Sequence, residues 1–152
     1  MTTNYLSKEG YDKIAEDLKE AKTAKRKEIA ERIEEAKKFG DLSENAEYHE
    51  AREAQERNER RIAELEVIIK TAKIITKSKK TDRVEVGSTG KAKSEGRIIE
   101  FTIVGSEEAE PLAWRISNES PMGKSFLGKK IGEEVDVITP KGKIKYKILE
   151  IN

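Results

Sequence analysis

Apolar positions in the first half of the chain recur at helical spacing. Ile14, Leu18, Ala21, Ile29, Ile33 and Ala36 stand three or four residues apart, or at sums of those steps, among Lys, Glu, Asp and Arg. The pattern predicts a helix that Ser7 caps and Gly40 ends as its C′ residue. A second series, Ile62, Leu65, Ile68, Ile69, Ala72 and Ile75, predicts a helix beginning near Asp41 to Ser43 and running to about Ile75. So short a connection requires the two helices to pack antiparallel. Each would span about 33 residues, or roughly 50 Å at 1.5 Å per residue. Large aliphatics (Leu18, Leu65, Ile68) lie far from the turn, and small inward candidates (Ala36, Ala46, Ala51, Ala54) lie near it. The expected tip is slender, with the turn as its free end in solvent.

After the polar stretch Thr76 to Asp82 the pattern changes period. "RVEVG", "RIIEFTIVG", "LAWRIS", "EVDVIT" and "KIKYKILEI" alternate or cluster β-branched residues, and "GSTG", "KSEG" and "PKG" punctuate them as turns. "ESPMGKSFLGKKIG" inserts one short helix, capped by Ser120, opened by Pro121 and closed by Gly128. The fold class expected is therefore α+β: a long antiparallel coiled-coil α-hairpin over 1–76, a linker at 77–82, and a small antiparallel β-sheet domain of about five strands with one short helix over 83–152. Gly90, in "VGSTGKAKSEG", stands where a β-branched strand residue is expected, so the first sheet strand should be short or bulged.

Composition narrows the function classes. Charged residues make up 40% of the 152 and aromatics 5%, in keeping with long solvated helices. A net charge of +1 gives no global field for nucleic acid or a membrane surface. The chain contains no cysteine, which removes disulfide and thiolate chemistry and fits a reducing cytoplasm. Neither a signal-length apolar run nor about 18 consecutive apolar residues occurs, so a soluble, unexported protein is expected.

The chemistry on offer is carboxylate chemistry. In "FGDLSENAEYHE", Asp41 and Glu44 stand at the one place where the chain reverses. Their spacing fits a capping box with Asp in place of Ser or Thr, and both lie where a helix dipole favours negative charge. Acids also occupy 41, 44, 47, 50, 53, 56 and 59, a step of three that winds around a helix and leaves most of them as solvated surface. Two carboxylates at an exposed turn can nonetheless share one hard cation such as Mg²⁺ through oxygen ligands, weakly, because Mg²⁺ keeps its waters and asks for further acids or phosphates. Such a turn would complete a metal site belonging mostly to another molecule.

Other candidates are thinner. His49 is the only histidine, with no second His or Cys at ligand spacing, and reads as helix surface. Tyr48 and Arg52, one turn apart, read first as packing and then as braces or phosphate contacts. "KTAKRK" at 22–27 sits among glutamates as a solvated face. No G-x-x-x-x-G-K-[ST] or helix-opening G-x-G-x-x-G is present, and a nucleophilic triad has almost no material.

"GDLSENAEYHEAREAQ", Gly40 to Gln55, resembles the tip motif of the Gre family of bacterial transcript-cleavage factors. The start "YLSKEGYDKIAEDL" and the C-terminal "ISNESPMGKSFLGKKIGEEVDVITPKGKIKYKILEI" resemble the same family in the same order, so the likeness covers nearly the whole chain. The resemblance implies an FKBP-like C-terminal domain that docks on bacterial RNA polymerase. It also implies a coiled-coil tip that enters the secondary channel and stimulates the polymerase's own endonucleolytic cleavage of backtracked RNA. Asp41 and Glu44 would then be the pair acting at that chemistry by helping to hold a second Mg²⁺, with the nascent RNA 3′ end nearby. Ser43 and Asn45 stand beside them, and Tyr48 and Arg52 support the tip. The protein would be an activating partner of the polymerase rather than an enzyme, cytoplasmic and monomeric, with no membrane role. The alternatives are a channel-blocking inhibitor of the same family, an FKBP-like peptidyl-prolyl isomerase or chaperone, and a structural coiled-coil adaptor. Only Phe101, Trp114, Phe126 and Tyr146 could line a proline pocket, and core packing explains each of them.

Overall fold

The computed structural model describes residues 3–76 and 82–152, so of the expected linker 77–82 all but Asp82 lies outside the described residues. Two compact units emerge: Tyr11–Thr71, and Met1–Gly10 together with Ala72–Asn152. The division falls at Thr71 rather than at 76 because a short strand β1 (Asn4–Leu6) pairs in parallel with β2 (Ala72–Ile74), and Leu6 is wholly buried there. Ile75 N–H then donates to the Leu6 carbonyl at 2.8 Å. Ala72 and Ile75, expected on the second helical stripe, therefore belong to this strand pair and its exit.

The helical unit carries α1 (Lys8–Glu20), a π-helical turn over Ala21–Lys25, α2 (Arg26–Lys37) and α3 (Ala46–Thr71). Ser7 caps α1 as its position suggests, its Oγ accepting from Gly10 N–H at 3.0 Å. The π turn has a legible cause. Counted back in heptads from Ile29, Ile33 and Ala36, the inward positions would be Arg26 and then Lys22 and Lys19. The apolar side chains sit one residue earlier, at Ala21 and Leu18, and an i→i+5 turn takes up one residue more than an α-turn. Asn58 marks the spot from the opposite helix by donating to the Ala21 carbonyl at 2.9 Å. Ion pairs flank it, with Arg26 giving two bonds to Glu59 at 3.0 and 2.9 Å and Lys22 reaching Glu66 at 2.7 Å.

Toward the turn the seam is thin, as expected: Ile29 and Ile33 meet Ala51 and Ala54, with Tyr48 packed alongside. Away from it Ile62, Leu65 and Ile68 are buried. Two expectations are corrected. Ala46 is exposed rather than inward, and α3 has 26 residues, about 39 Å at 1.5 Å per residue, because it starts at Ala46 and stops at Thr71.

In the other unit, β3 (Thr89–Ser94), β4 (Arg97–Val104), β5 (Arg115–Ser117), β6 (Glu134–Thr139) and β7 (Gly142–Ile151) form one sheet in the order β5-β4-β3-β7-β6. Every pair is antiparallel except β4–β5, which is parallel, so the expected all-antiparallel sheet is mixed at one edge. The short helix α4 (Pro121–Phe126) opens as anticipated, Ser120 Oγ accepting from Gly123 N–H at 3.0 Å. Phe126 stacks edge-to-face between Phe101 and Tyr146, with centroids 4.9 and 5.6 Å away, in a core that also holds Val84, Ala92, Ile103, Val135, Val137 and Ile148.

Two strand assignments shift. "RVEVG" is no ladder strand: Val84 is buried, but Arg83 makes only an isolated bridge to Lys130. Its place is taken by β3, the "TGKAKS" segment, whose register against β7 slips between Lys91 and Ala92. The bulge anticipated from Gly90 is thus present. A Cβ on Gly90 would strike the Glu150 carbonyl and come within 2.9 Å of the Phe101 ring, so the strand passes there only without a side chain. "LAWRIS" is a strand only over Arg115–Ser117, since Trp114 turns into the left-handed region at φ 57°. Among the described residues no helix is long and apolar enough to cross a membrane.

Candidate functional site

Helix α2 unwinds with Lys38 and Phe39 N–H bonded back to Glu35 and Ala36 carbonyls, and Gly40 then turns the chain at φ 110°, a conformation that side chains rarely adopt. Asn45 organises the loop beyond Gly40. Its Oδ1 accepts from Tyr48 N–H at 3.1 Å, which caps α3, and its Nδ2 donates to the Ala36 carbonyl at 2.6 Å, which satisfies one of the last acceptors of α2. One side chain therefore ties the end of one helix to the start of the next. The capping box expected from Asp41 and Glu44 is not formed, because α3 begins later than that spacing implied.

Freed from capping, Asp41 folds onto its own turn. Oδ1 accepts from Ser43 N–H at 3.1 Å and from Ser43 Oγ at 2.9 Å, an Asx turn that Glu44 N–H closes by donating to the Asp41 carbonyl at 3.4 Å. Those bonds, the Ser43 amide first and its hydroxyl second, hold the Asp41 carboxyl below the ordinary carboxylate range. Both fall on Oδ1, so Oδ2 is left for a ligand. The Glu44 side chain makes no hydrogen bond or ion pair among the described residues.

The supporting residues divide. Tyr48 is partly buried against Ile29, Ile33, Ala51 and Ala54 and stands edge-on to His49, with centroids 5.8 Å apart. His49 lies on the helix surface as expected, its Nε2 3.2 Å from the Ser43 carbonyl, so it also braces the loop. Arg52 donates to Gln55 at 2.6 Å along its own helix and is not drawn into the turn. Sequence reasoning passed over Phe39, which is 76% exposed, and the turn's open cavity of about 370 Å³, lined by Phe39, Asp41, Glu44, Asn45, Ala46 and Glu47. An aromatic placed between a helix end and a left-handed glycine was the available signal.

Carboxylate oxygens suit a hard divalent cation. Among the described residues, however, no group of three or more His, Cys, Asp or Glu side chains is placed to hold a metal. Asp41 and Glu44 are two carboxylates of one turn that could serve as oxygen ligands of such a cation.

The chain matches known families along its length. The N-terminal model of the transcription elongation factor family fits residues 4–74, and the C-terminal GreA/GreB model fits residues 78–152. Transcription elongation factor GreA of Caldanaerobacter subterraneus subsp. tengcongensis is 51% identical over 149 residues, covering 96% of this chain and 95% of the relative. GreA of Acetivibrio thermocellus is 48% identical over 157 residues, covering 99% of each. Among solved structures, GreA factor homolog 1 (Gfh1) of Thermus thermophilus is 27% identical and covers 99% of each chain at a TM-score of 0.45.

Proposed function

The chain belongs to the GreA/GreB family of transcription elongation factors, and we propose that it acts on backtracked RNA polymerase complexes by bringing the Asp41–Glu44 turn to the polymerase's active centre. There the turn stimulates the polymerase's own cleavage of the RNA near its 3′ end. The factor is a cytoplasmic monomer in this reading and an activator rather than an enzyme, since the hydrolysing centre belongs to the polymerase.

The observation that carries the proposal is the state of the two acids. Ser43 holds the Asp41 carboxyl below its ordinary range, Glu44 has its side chain unengaged among the described residues, and both stand exposed on a loop that Asn45 fixes to two helices. Asp41 Oδ2 and the Glu44 carboxylate would hold a Mg²⁺ jointly with acids of the polymerase. When bound, the ion would supply a polarised water and charge stabilisation for phosphodiester hydrolysis. Ser43 keeps one carboxylate oriented, and Asn45 keeps the loop from fraying, so little ordering is required when the turn meets its target.

An isomerase reading finds no support in the sheet unit. Phe101, Phe126 and Tyr146 are buried in the core, and a cavity of about 630 Å³ beside Ser88, Thr102, Glu108 and Arg115 has no aromatic ring in its lining. The deciding experiment is cleavage of RNA in a stalled, backtracked elongation complex. Asp41→Ala or Glu44→Ala should abolish stimulated cleavage while polymerase binding stays within a few-fold, since the acids and the sheet belong to different compact units. Wild-type protein that binds and slows the polymerase without shortening the RNA would establish the channel-blocking reading instead.

A further inference from the structure

Phe39 is an exposed aromatic residue at the turn, outside the packed seam of the hairpin. It lies just past the last residues of α2, its amide is tied to the Ala36 carbonyl at 3.1 Å, and the left-handed Gly40 carries the chain away immediately after it. The residue is thereby left 76% exposed and held out of the alanine seam. Phe39 is among the residues lining the open cavity of about 370 Å³, together with Asp41, Glu44, Asn45, Ala46 and Glu47.

An occupant of that cavity must satisfy two demands at once. It needs a flat apolar face for the ring, and it needs a neutral or donor-bearing edge, because acidic residues line the same cavity and would be costly for an apolar protein surface to desolvate. An unpaired nucleobase has both, a π face and, in adenine, cytosine and guanine, an amino group that donates to a carboxylate. We propose that Phe39 is a stacking platform for the unpaired 3′-terminal base of the RNA, holding it beside Asp41 and Glu44. The proposal rests on the transcript-cleavage reading above. It assigns the turn a contact to substrate in addition to its acids.

The test uses the full-length protein at subsaturating concentration with backtracked elongation complexes. RNAs ending in each of the four bases, and one ending in an abasic nucleotide, are cleaved with wild type, Phe39→Ala, Phe39→Leu and Phe39→Tyr. Loss of a base stack should slow cleavage about five- to a hundredfold in Phe39→Ala. Phe39→Tyr should restore the rate, Phe39→Leu should not, and on the abasic RNA all four proteins should cleave alike. Phe39→Ala equal to wild type would overturn the proposal. So would full activity of Phe39→Leu, or an undiminished Phe39→Ala defect on the abasic RNA; either would point to an apolar contact with the polymerase. If wild type itself fails to cleave any RNA, the underlying cleavage reading falls first. Because the ring is exposed, the variants should melt with wild type, which separates a lost contact from a lost fold.

Discussion

Replacing Asn45 by Ala removes two hydrogen bonds that no neighbouring side chain duplicates. Loss of the cap on α3 costs about 1 kcal/mol, by analogy with other Asn caps replaced by Ala. Loss of the partly buried bond to the Ala36 carbonyl adds about 0.5–1.5 kcal/mol. Together these amount to about 2 kcal/mol, which for a unit the size of Tyr11–Thr71 corresponds to a fall of about 8–16 °C in the melting midpoint. Thermal melts followed by circular dichroism at 222 nm measure the total, and hydrogen exchange at the Tyr48 amide reads the cap itself. Asn45→Asp keeps the acceptor and loses the donor, so it should recover about half of the loss. An Asn45→Ala protein within about 0.5 kcal/mol of wild type, or a Tyr48 amide with unchanged protection, would refute the claim that this side chain ties the two helices.

The geometry carries two further outcomes. Gly90→Ala should destabilise the sheet unit by about 1–3 kcal/mol in urea titrations, because its Cβ meets the Glu150 carbonyl and the Phe101 ring, and an unchanged midpoint would contradict the close approach. Ser43→Ala removes the smaller of the two causes that lower the Asp41 pKa, so nuclear magnetic resonance titration should show that carboxyl moving part of the way back toward the ordinary range. A carboxyl lowered in the folded state contributes stability that is present above its unfolded value and is lost as pH falls through its folded value. In Ser43→Ala the stability lost on acidification should therefore be smaller and complete at a higher pH, and any loss of stimulated cleavage should set in at a higher pH than in wild type.

How far the sequence could be read depended on where its signals were redundant. The hairpin was legible because Ile29, Ile33, Ile62 and Leu65 fix the stripe many times over, and even the π turn was latent in the one-residue offset of Leu18 and Ala21 from the heptad of Ile29. The turn was ambiguous because Asp41, Ser43 and Asn45 are all good capping residues. What selected Asn45 was its reach to the Ala36 carbonyl, a contact nine residues back that no local pattern encodes. In the sheet, the alternation in "RVEVG" reported real burial at Val84 without a ladder. The "TGKAKS" strand was hidden because tight packing against Phe101 demands Gly and Ala where strand propensity asks for β-branched residues. The β1–β2 pair, three residues to a strand, is too short to announce itself by period. Asp41 and Glu44 stand exposed at the turn, where the chain was expected to reverse, and Arg52, grouped with them by motif, bonds to Gln55 along its own helix.

The most direct test of the central claim is a Mg²⁺ titration of stimulated RNA cleavage in a backtracked elongation complex, comparing wild type with Glu44→Gln at equal occupancy of the polymerase. A shared ion site predicts that the variant needs at least about tenfold more Mg²⁺ for half-maximal cleavage and reaches a lower plateau, since one carboxylate ligand has become a neutral amide. The same half-maximal concentration for both proteins, with any deficit independent of Mg²⁺, would mean that the acids of the turn do not hold the metal.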